Sequence, residues 1–382
     1  MAHEKSFGPV LVTGGAGYLG SHIVETLLED KAFSPIVASF QPKVVANRCV
    51  PGAVYHDCDV SNAAQFKALL NKIKPRAIIH TIGPGYFSPP KAHYRITYEL
   101  SKQLVAIARN HSSVQALVYT STAEVINLKP EYNAFPLRED QVPLHNLESG
   151  PNAYCRTKAA VDILVRSTNT PEAIDNTSKN FSDLLLTATL RVTGIYGPRD
   201  RLTVLELLGL VNTPKTWFQV GPNRLTHDWI HVDNCAKAHV LAAKALLRKP
   251  NSSGKAGKRA DGQAFNISDG KPMPFWDFAR LMWSEAGDEN WAHDGPHRVI
   301  QIPIGLMLFV VGFMEWAVWL FTAGLMSSPS SRLSFEYMKT GCWLDVSKAR
   351  EVLGYAPAFG TEEGLRRTVG WFKKNEGWEK EM

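Results

Sequence analysis

Val10-Leu11-Val12-Thr13-Gly14-Gly15-Ala16-Gly17-Tyr18-Leu19-Gly20 is the stretch that decides the fold. An apolar run suited to a buried parallel strand meets glycines spaced G-x-x-G-x-x-G, and a helix is expected beyond them over Ser21–Leu28. Glycine lets the backbone turn tightly and approach a pyrophosphate that a Cβ would push away. The helix N-terminus adds free N–H groups and a positive dipole end for the anion. Gly14, Gly17, Tyr18, Leu19 and Gly20 are therefore the expected cradle of a dinucleotide. The competing reading is a plain strand–helix turn, which the preceding strand and the N-terminal position disfavour.

The companion to such a turn is an acid about twenty residues on that grips the adenosine ribose of NAD. Here the second strand, Ile36-Val37-Ala38, ends at Ser39, and no Asp or Glu follows until Asp57, while Lys43 and Arg48 lie nearby. A serine with basic neighbours tolerates a 2′-phosphate better than an aspartate would, which tilts the cofactor from NAD toward NADP. The alternative is that Ser39 simply caps the strand and both bind.

Tyr154-Cys155-Arg156-Thr157-Lys158 places a phenol and an ammonium four residues apart, on one face of a helix. A free tyrosine titrates near ~10, and a lysine one turn away favours the phenolate and can hold a ribose. The pattern also arises by chance as a solvent-facing pair. Ala116-Leu117-Val118-Tyr119-Thr120-Ser121-Thr122-Ala123-Glu124-Val125 weighs against chance, because it reads as a buried strand ending in hydroxyls where a substrate oxygen needs a donor.

With these residues the chain resembles the extended short-chain dehydrogenases. Asp59-Val60 resembles the pair bordering the adenine, Ile78-Ile79-His80-Thr81-Ile82-Gly83 the fourth strand, and Leu190-Arg191-Val192-Thr193-Gly194-Ile195-Tyr196-Gly197-Pro198 the strand and loop behind the nicotinamide. The resemblance puts the family's catalytic hydroxyl on Thr122, with Ser121 as the alternative, beside Tyr154 and Lys158; the family's Asn on the fourth helix is replaced by Thr97. Asp228–His239, Gly262–Gly270 and Pro272–Phe278 are similar to the 3β-hydroxysteroid dehydrogenase/isomerase group, which includes the sterol-4α-carboxylate 3-dehydrogenases. The resemblance implies an α/β fold, a doubly wound parallel Rossmann sheet with a smaller discontinuous C-terminal substrate lobe. It implies NAD or NADP as cofactor and a sterol or related terpenoid as substrate, oxidised at a 3β-hydroxyl, with loss of an adjacent 4-carboxylate as CO2 where one is present. Competing expectations are a dehydrogenase–isomerase, a nucleotide-sugar epimerase or dehydratase, and a cofactor-binding scaffold without turnover.

Composition bounds the rest. The 382 residues carry a net charge of +6, and no basic run alternates with aromatics, so nucleic acid is not an expected partner. Cys49, Cys58, Cys155, Cys235 and Cys342 are scattered at spacings that suit neither a metal nor a disulfide framework, which favours a reducing compartment. The start shows no apolar signal region. All ten tryptophans lie at or beyond Trp217. A Rossmann domain is expected over 1–198 and a substrate lobe over 199–382, with a strand near 264–267 returning to the sheet. Surface loops are expected over 167–182 and 249–262, and a terminal helix over 362–371.

Residues 302–326 stand apart as an apolar segment long enough to span a bilayer. Glu315 sits near its middle, where a carboxylate costs roughly 2.5–3.5 kcal/mol, and Trp316 and Trp319 would lie at mid-depth. A helix or bent hairpin lying in one leaflet fits better, on the endoplasmic reticulum membrane with the catalytic domain facing the cytoplasm. The competing use of the segment is a buried core helix or a contact with a second copy of the chain in a homodimer.

Overall fold

The structure, a computed structural model, describes residues 6–40, 49–170, 184–248, 259–294, 297–321 and 332–378. Lys43, Arg48, most of the two expected surface loops and residues 322–326 lie outside the described residues.

Seven strands form one parallel sheet: β1 (Val10–Thr13), β2 (Ile36–Phe40), β3 (Val54–Asp57), β4 (Ala77–His80), β5 (Ala116–Thr122), β6 (Leu186–Val192) and β7 (Gln263–Ile267). Their order is β7-β6-β5-β4-β1-β2-β3. Every residue of β1, β4, β5 and β6 is buried, as near-continuous apolar runs require when helices cover both faces. α1 (Tyr18–Asp30) and α5 (Val232–Leu247) cover one face, where Ile23, Leu27, Val240 and Ala243 share a core with β1 and β6. α2 (Ala63–Ile73), α3 (Leu100–Arg109) and α4 (Ala153–Ser167) cover the other through Phe66, Leu104 and Val161. The strand order reverses at β1, between β2 and β4, so a crevice opens at the carboxyl ends of β1 and β4. Thr13 and the glycine turn lie there.

α1 starts at Tyr18, three residues earlier than expected, and ends two residues later. The reason is glycine itself. Gly17 takes an extended conformation as N-cap, and Gly20 sits in the first helical turn against the backbone of Gly14, where any Cβ would collide.

β7 comes from beyond residue 198 and pairs with β6 along its whole length, so the later half of the chain completes the sheet. The rest of that half packs its own core of Trp229, Phe278, Trp283, Leu365 and Phe372, with Trp229 stacked on Phe278 at 3.7 Å. This core joins α6 (Phe275–Ala286) to the terminal α10 (Thr361–Asn375).

The apolar segment forms one helix, α7 (Ile304–Phe321), and α8 (Arg332–Glu336) packs back against it ahead of α9 (Ser347–Leu353). Leu306, Phe309, Phe313, Trp316 and Leu320, three or four residues apart, are at least half exposed and form one stripe. Val311 is buried on the opposite side, and Glu315, one turn on, accepts a hydrogen bond from the Arg332 backbone N–H at 3.0 Å. Among the described residues no helix is long and apolar enough to cross a membrane. At ~1.5 Å per residue α7 reaches roughly 27 Å, short of a hydrocarbon core of about 30 Å.

Candidate active site

The glycine turn is bare backbone packed to its limit. Gly14 has φ +80°, and a Cβ there would lie 2.8 Å from the Thr81 hydroxyl. A Cβ on Gly15 would lie 2.5 Å from that of Ala38, so this glycine, outside the motif spacing, is as necessary as the three within it. Tyr18, Leu19 and Gly20 occupy the first turn of α1, whose N–H groups have no intrahelical partner, and no side chain caps them. The Tyr18 ring turns away from the cradle, edge-on to His22 at 5.9 Å, and burial pushes its phenol far up. Leu19 goes into the core, so both residues face the cradle through backbone alone.

Ser39 is buried at the end of β2, its carbonyl accepting the Gly15 N–H at 3.2 Å and its hydroxyl without a partner. An orphaned hydroxyl beside bare helix N–H groups fits the ribose and phosphate of a dinucleotide. The Asp59 carboxylate is engaged within its own turn by the Ser61 N–H at 2.9 Å and hydroxyl at 2.6 Å, and Val60 is buried in the core.

The catalytic set expected from the sequence converges one strand away. Asn152 caps α4 by accepting the Cys155 N–H at 2.9 Å, which puts Tyr154 in the first turn. One turn beyond Lys158, the buried Asp162 pairs with Arg191 of β6 at 3.2 Å and fixes the rotation of the helix on the sheet. The Thr122 hydroxyl, at the tip of β5, lies close enough to the Tyr154 phenol to lower it, whereas the buried Ser121 hydroxyl has no hydrogen-bond partner. Tyr86 and His93 wall the phenol ring edge-on at 4.9 and 5.7 Å. Thr97 is buried with an unpartnered hydroxyl in a π-helical stretch, His93–Glu99, that packs against α4.

Lys158 is held by the neighbouring strand. Its ammonium donates to the Thr120 carbonyl at 2.8 Å and lies 4.9 Å from the centre of the Tyr119 ring, and burial lowers it to about 8. Burial, and then the charge of Glu124, pushes the Tyr154 phenol above its ordinary value; the Thr122 hydroxyl is what pulls it back. A Cβ on Gly83 would stand 3.8 Å from the Lys158 ammonium, so the lysine reaches the open ends of β4 and β5 beside the cradle.

Glu124 is the residue that sequence reasoning missed. It follows β5 by two positions on a short 3-10 turn, and its carboxyl accepts from the Cys155 thiol at 3.5 Å and from the Tyr86 phenol. Burial raises it to about 7. A glutamate at a strand end reads as solvated; here it is half-buried against Cys155, thirty-one residues downstream, and Tyr86, thirty-eight upstream. On the lobe side a cavity of about 250 Å³ is lined by His227, Phe275, Trp276, Met338 and Ile304, the first residue of α7.

A Rossmann sheet, a bare pyrophosphate cradle and a Thr-Tyr-Lys set together define a nicotinamide-dependent dehydrogenase of the extended short-chain class. The model of the 3-beta hydroxysteroid dehydrogenase/isomerase family matches residues 11–293, and the chain belongs to that family. A sterol-4-alpha-carboxylate 3-dehydrogenase, decarboxylating, of Gibberella zeae is 32% identical over 314 residues, covering 81% of this chain and 95% of that one. Its Saccharomyces cerevisiae namesake is 28% identical over 378 residues, 95% of this chain and 97% of its own. Among solved structures, the Thermus thermophilus UDP-glucose 4-epimerase complex with NAD superposes with a TM-score of 0.66 at 20% identity, over 96% of this chain and 99% of that one. That likeness is one of fold.

Proposed function

We propose that this chain oxidises the 3β-hydroxyl of a sterol 4α-carboxylate with a nicotinamide dinucleotide and releases the carboxylate as CO2. The observation that carries it is the convergence of Thr122, Tyr154 and Lys158 beside the glycine cradle, in a chain of the 3β-hydroxysteroid dehydrogenase/isomerase family. Bound at the cradle, the oxidised nicotinamide supplies a hydride acceptor and a positive charge. Tyr154 takes the proton of the substrate hydroxyl, and Thr122 donates a hydrogen bond to the same oxygen. Lys158, anchored on Thr120, holds the nicotinamide ribose. The walls of Tyr86 and His93 keep water from the phenol. The resulting ketone lies next to the carboxylate-bearing carbon and accepts the electron pair released as CO2 leaves, so decarboxylation needs no second cofactor.

The exposed stripe of α7 supports a seat in one leaflet of the endoplasmic reticulum membrane, with the sheet on the cytoplasmic side. Five large apolar side chains on one face suit acyl chains, and Glu315 is turned inward to the Arg332 N–H. The cavity at the foot of the helix would take an apolar substrate from the bilayer. Ser39, lacking an acid's charge, supports NADP over NAD.

Incubation with NAD or NADP and a panel of 4-carboxysterols, plain 3β-hydroxysterols and UDP-sugars, read by product mass, tests the reading. The expected product has lost two hydrogens and CO2. Turnover of UDP-sugars alone would overturn it.

A further inference from the structure

We propose that Glu124 is the acid that protonates the ring carbon from which CO2 departs. This rests on the decarboxylating reading above. When the bond from C4 to the carboxylate breaks, CO2 leaves and its electron pair becomes the C3–C4 enolate. The enolate oxygen stays where the carbinol oxygen stood, at Thr122 and Tyr154. One proton must then arrive at C4; the enolate pair closes onto it, the C3 carbonyl reforms, and the donor is left as a carboxylate that water reprotonates.

Glu124 is placed for that step. Its carboxyl touches the thiol of Cys155, the chain neighbour of Tyr154, at 3.5 Å, and the phenol of Tyr86, whose ring lies 4.9 Å from that of Tyr154. Lys158 reaches toward Gly83, past the end of β4, where the glycine turn also lies. Glu124 faces the lobe, close enough for its charge to act on Tyr337 and Cys342. A substrate whose C3 oxygen meets Tyr154 would have its next ring carbon on that side. Burial holds the carboxyl up at about 7, and the substrate carboxylate adds a negative charge that favours the neutral, proton-donating form.

The test follows a 4α-carboxy-4β-methylsterol in heavy water, with the 3-ketone trapped by rapid borohydride reduction. The wild-type enzyme should release CO2 and place one deuteron on C4 in a single configuration. In Glu124→Gln the C4 product should become a mixture of both configurations and its formation should slow at least tenfold relative to reduced-cofactor formation. Glu124→Asp should restore part of the stereochemical control, which a merely structural role would not do. A single C4 configuration at the wild-type rate in folded Glu124→Gln, checked by melting temperature and cofactor binding, would overturn the proposal. So would equal losses of reduced-cofactor formation and CO2 release in that variant. Wild-type enzyme that oxidises plain 3β-hydroxysterols without releasing CO2 from the carboxysterol would overturn the decarboxylating reading and, with it, this one.

Discussion

Tyr154→Phe removes the phenolic base and keeps the ring that packs against Tyr86 and His93. Turnover should fall by about 10²–10⁴-fold with cofactor affinity nearly unchanged, measured by steady-state kinetics and fluorescence titration. Lys158→Ala should weaken both. The pH profile separates the partners. Oxidation needs the phenolate, and burial raises the phenol, so kcat/KM should climb with pH through neutrality. Thr122→Val removes the hydroxyl that lowers the phenol and should move the climbing limb to higher pH, whereas Thr122→Ser should leave it in place. The four-residue spacing made Tyr154 and Lys158 candidates, but it did not show the anchor of the lysine on Thr120. Where an ammonium points depends on which carbonyl it meets, and Thr120 lies on a strand thirty-eight residues away. The second strand was expected to end at Ser39 and runs one residue further, to Phe40; that the Ser39 hydroxyl has no partner follows only from how β2 packs. If that hydroxyl leaves room for a 2′-phosphate, Ser39→Asp should shift the NADP:NAD ratio of kcat/KM toward NAD. Many-fold selectivity for NAD before mutation would refute the argument.

α1 and α7 show what the sequence tells of an element and what it conceals. The strand–glycine–helix order was plain, yet the helix begins inside the motif, because Gly20 permits a contact with Gly14 that no other residue would. For α7 the apolar content was plain and the orientation was not. Glu315 looked like a penalty at mid-depth, but it lies on the inner face with Val311 and bonds the start of α8. That leaves Phe309 and Leu320 on the outer stripe, so a carboxylate at either is added to the surface that would meet lipid. Phe309→Glu with Leu320→Glu should release the protein from membranes into the soluble fraction, and activity on a water-soluble alcohol should survive. Activity on membrane-resident sterol should fall. If the stripe is instead a contact with a second copy, the variant should turn from dimer to monomer by light scattering, with membrane fractionation unchanged. Wild-type protein that is soluble under gentle lysis without detergent would end the membrane proposal.

At the scale of the whole molecule, the parallel sheet was readable because apolar strands alternate with helical patterns, a local signal. The joining of lobe to sheet was only partly readable, because its contacts pair residues far apart in the chain: each residue of β7 lies 75 positions beyond its partner in β6, as Gln263 does beyond Ala188. Within the lobe the contacts reach as far: the Asp228 N–H donates to the Cys342 carbonyl at 2.7 Å and its carboxyl accepts the Leu344 N–H at 2.6 Å. Burial raises this carboxyl to about 7, from an ordinary value near ~4. Between those values the folded protein binds a proton that the unfolded chain has lost. The group's contribution to stability is therefore fully present below about pH 4 and declines as pH rises to about 7. Asp228→Asn keeps an acceptor for Leu344 and cannot ionise. Its melting temperature should match that of the wild type near pH 4 and exceed it by a few degrees near pH 8, since the burial penalty is on the order of a few kcal/mol. Calorimetry at matched scan rates checks this. A difference that stays constant with pH would show that Asp228 does not titrate in this range. A variant that melts lower at every pH would show that the carboxyl's hydrogen bond from the Leu344 N–H outweighs the cost of its charge.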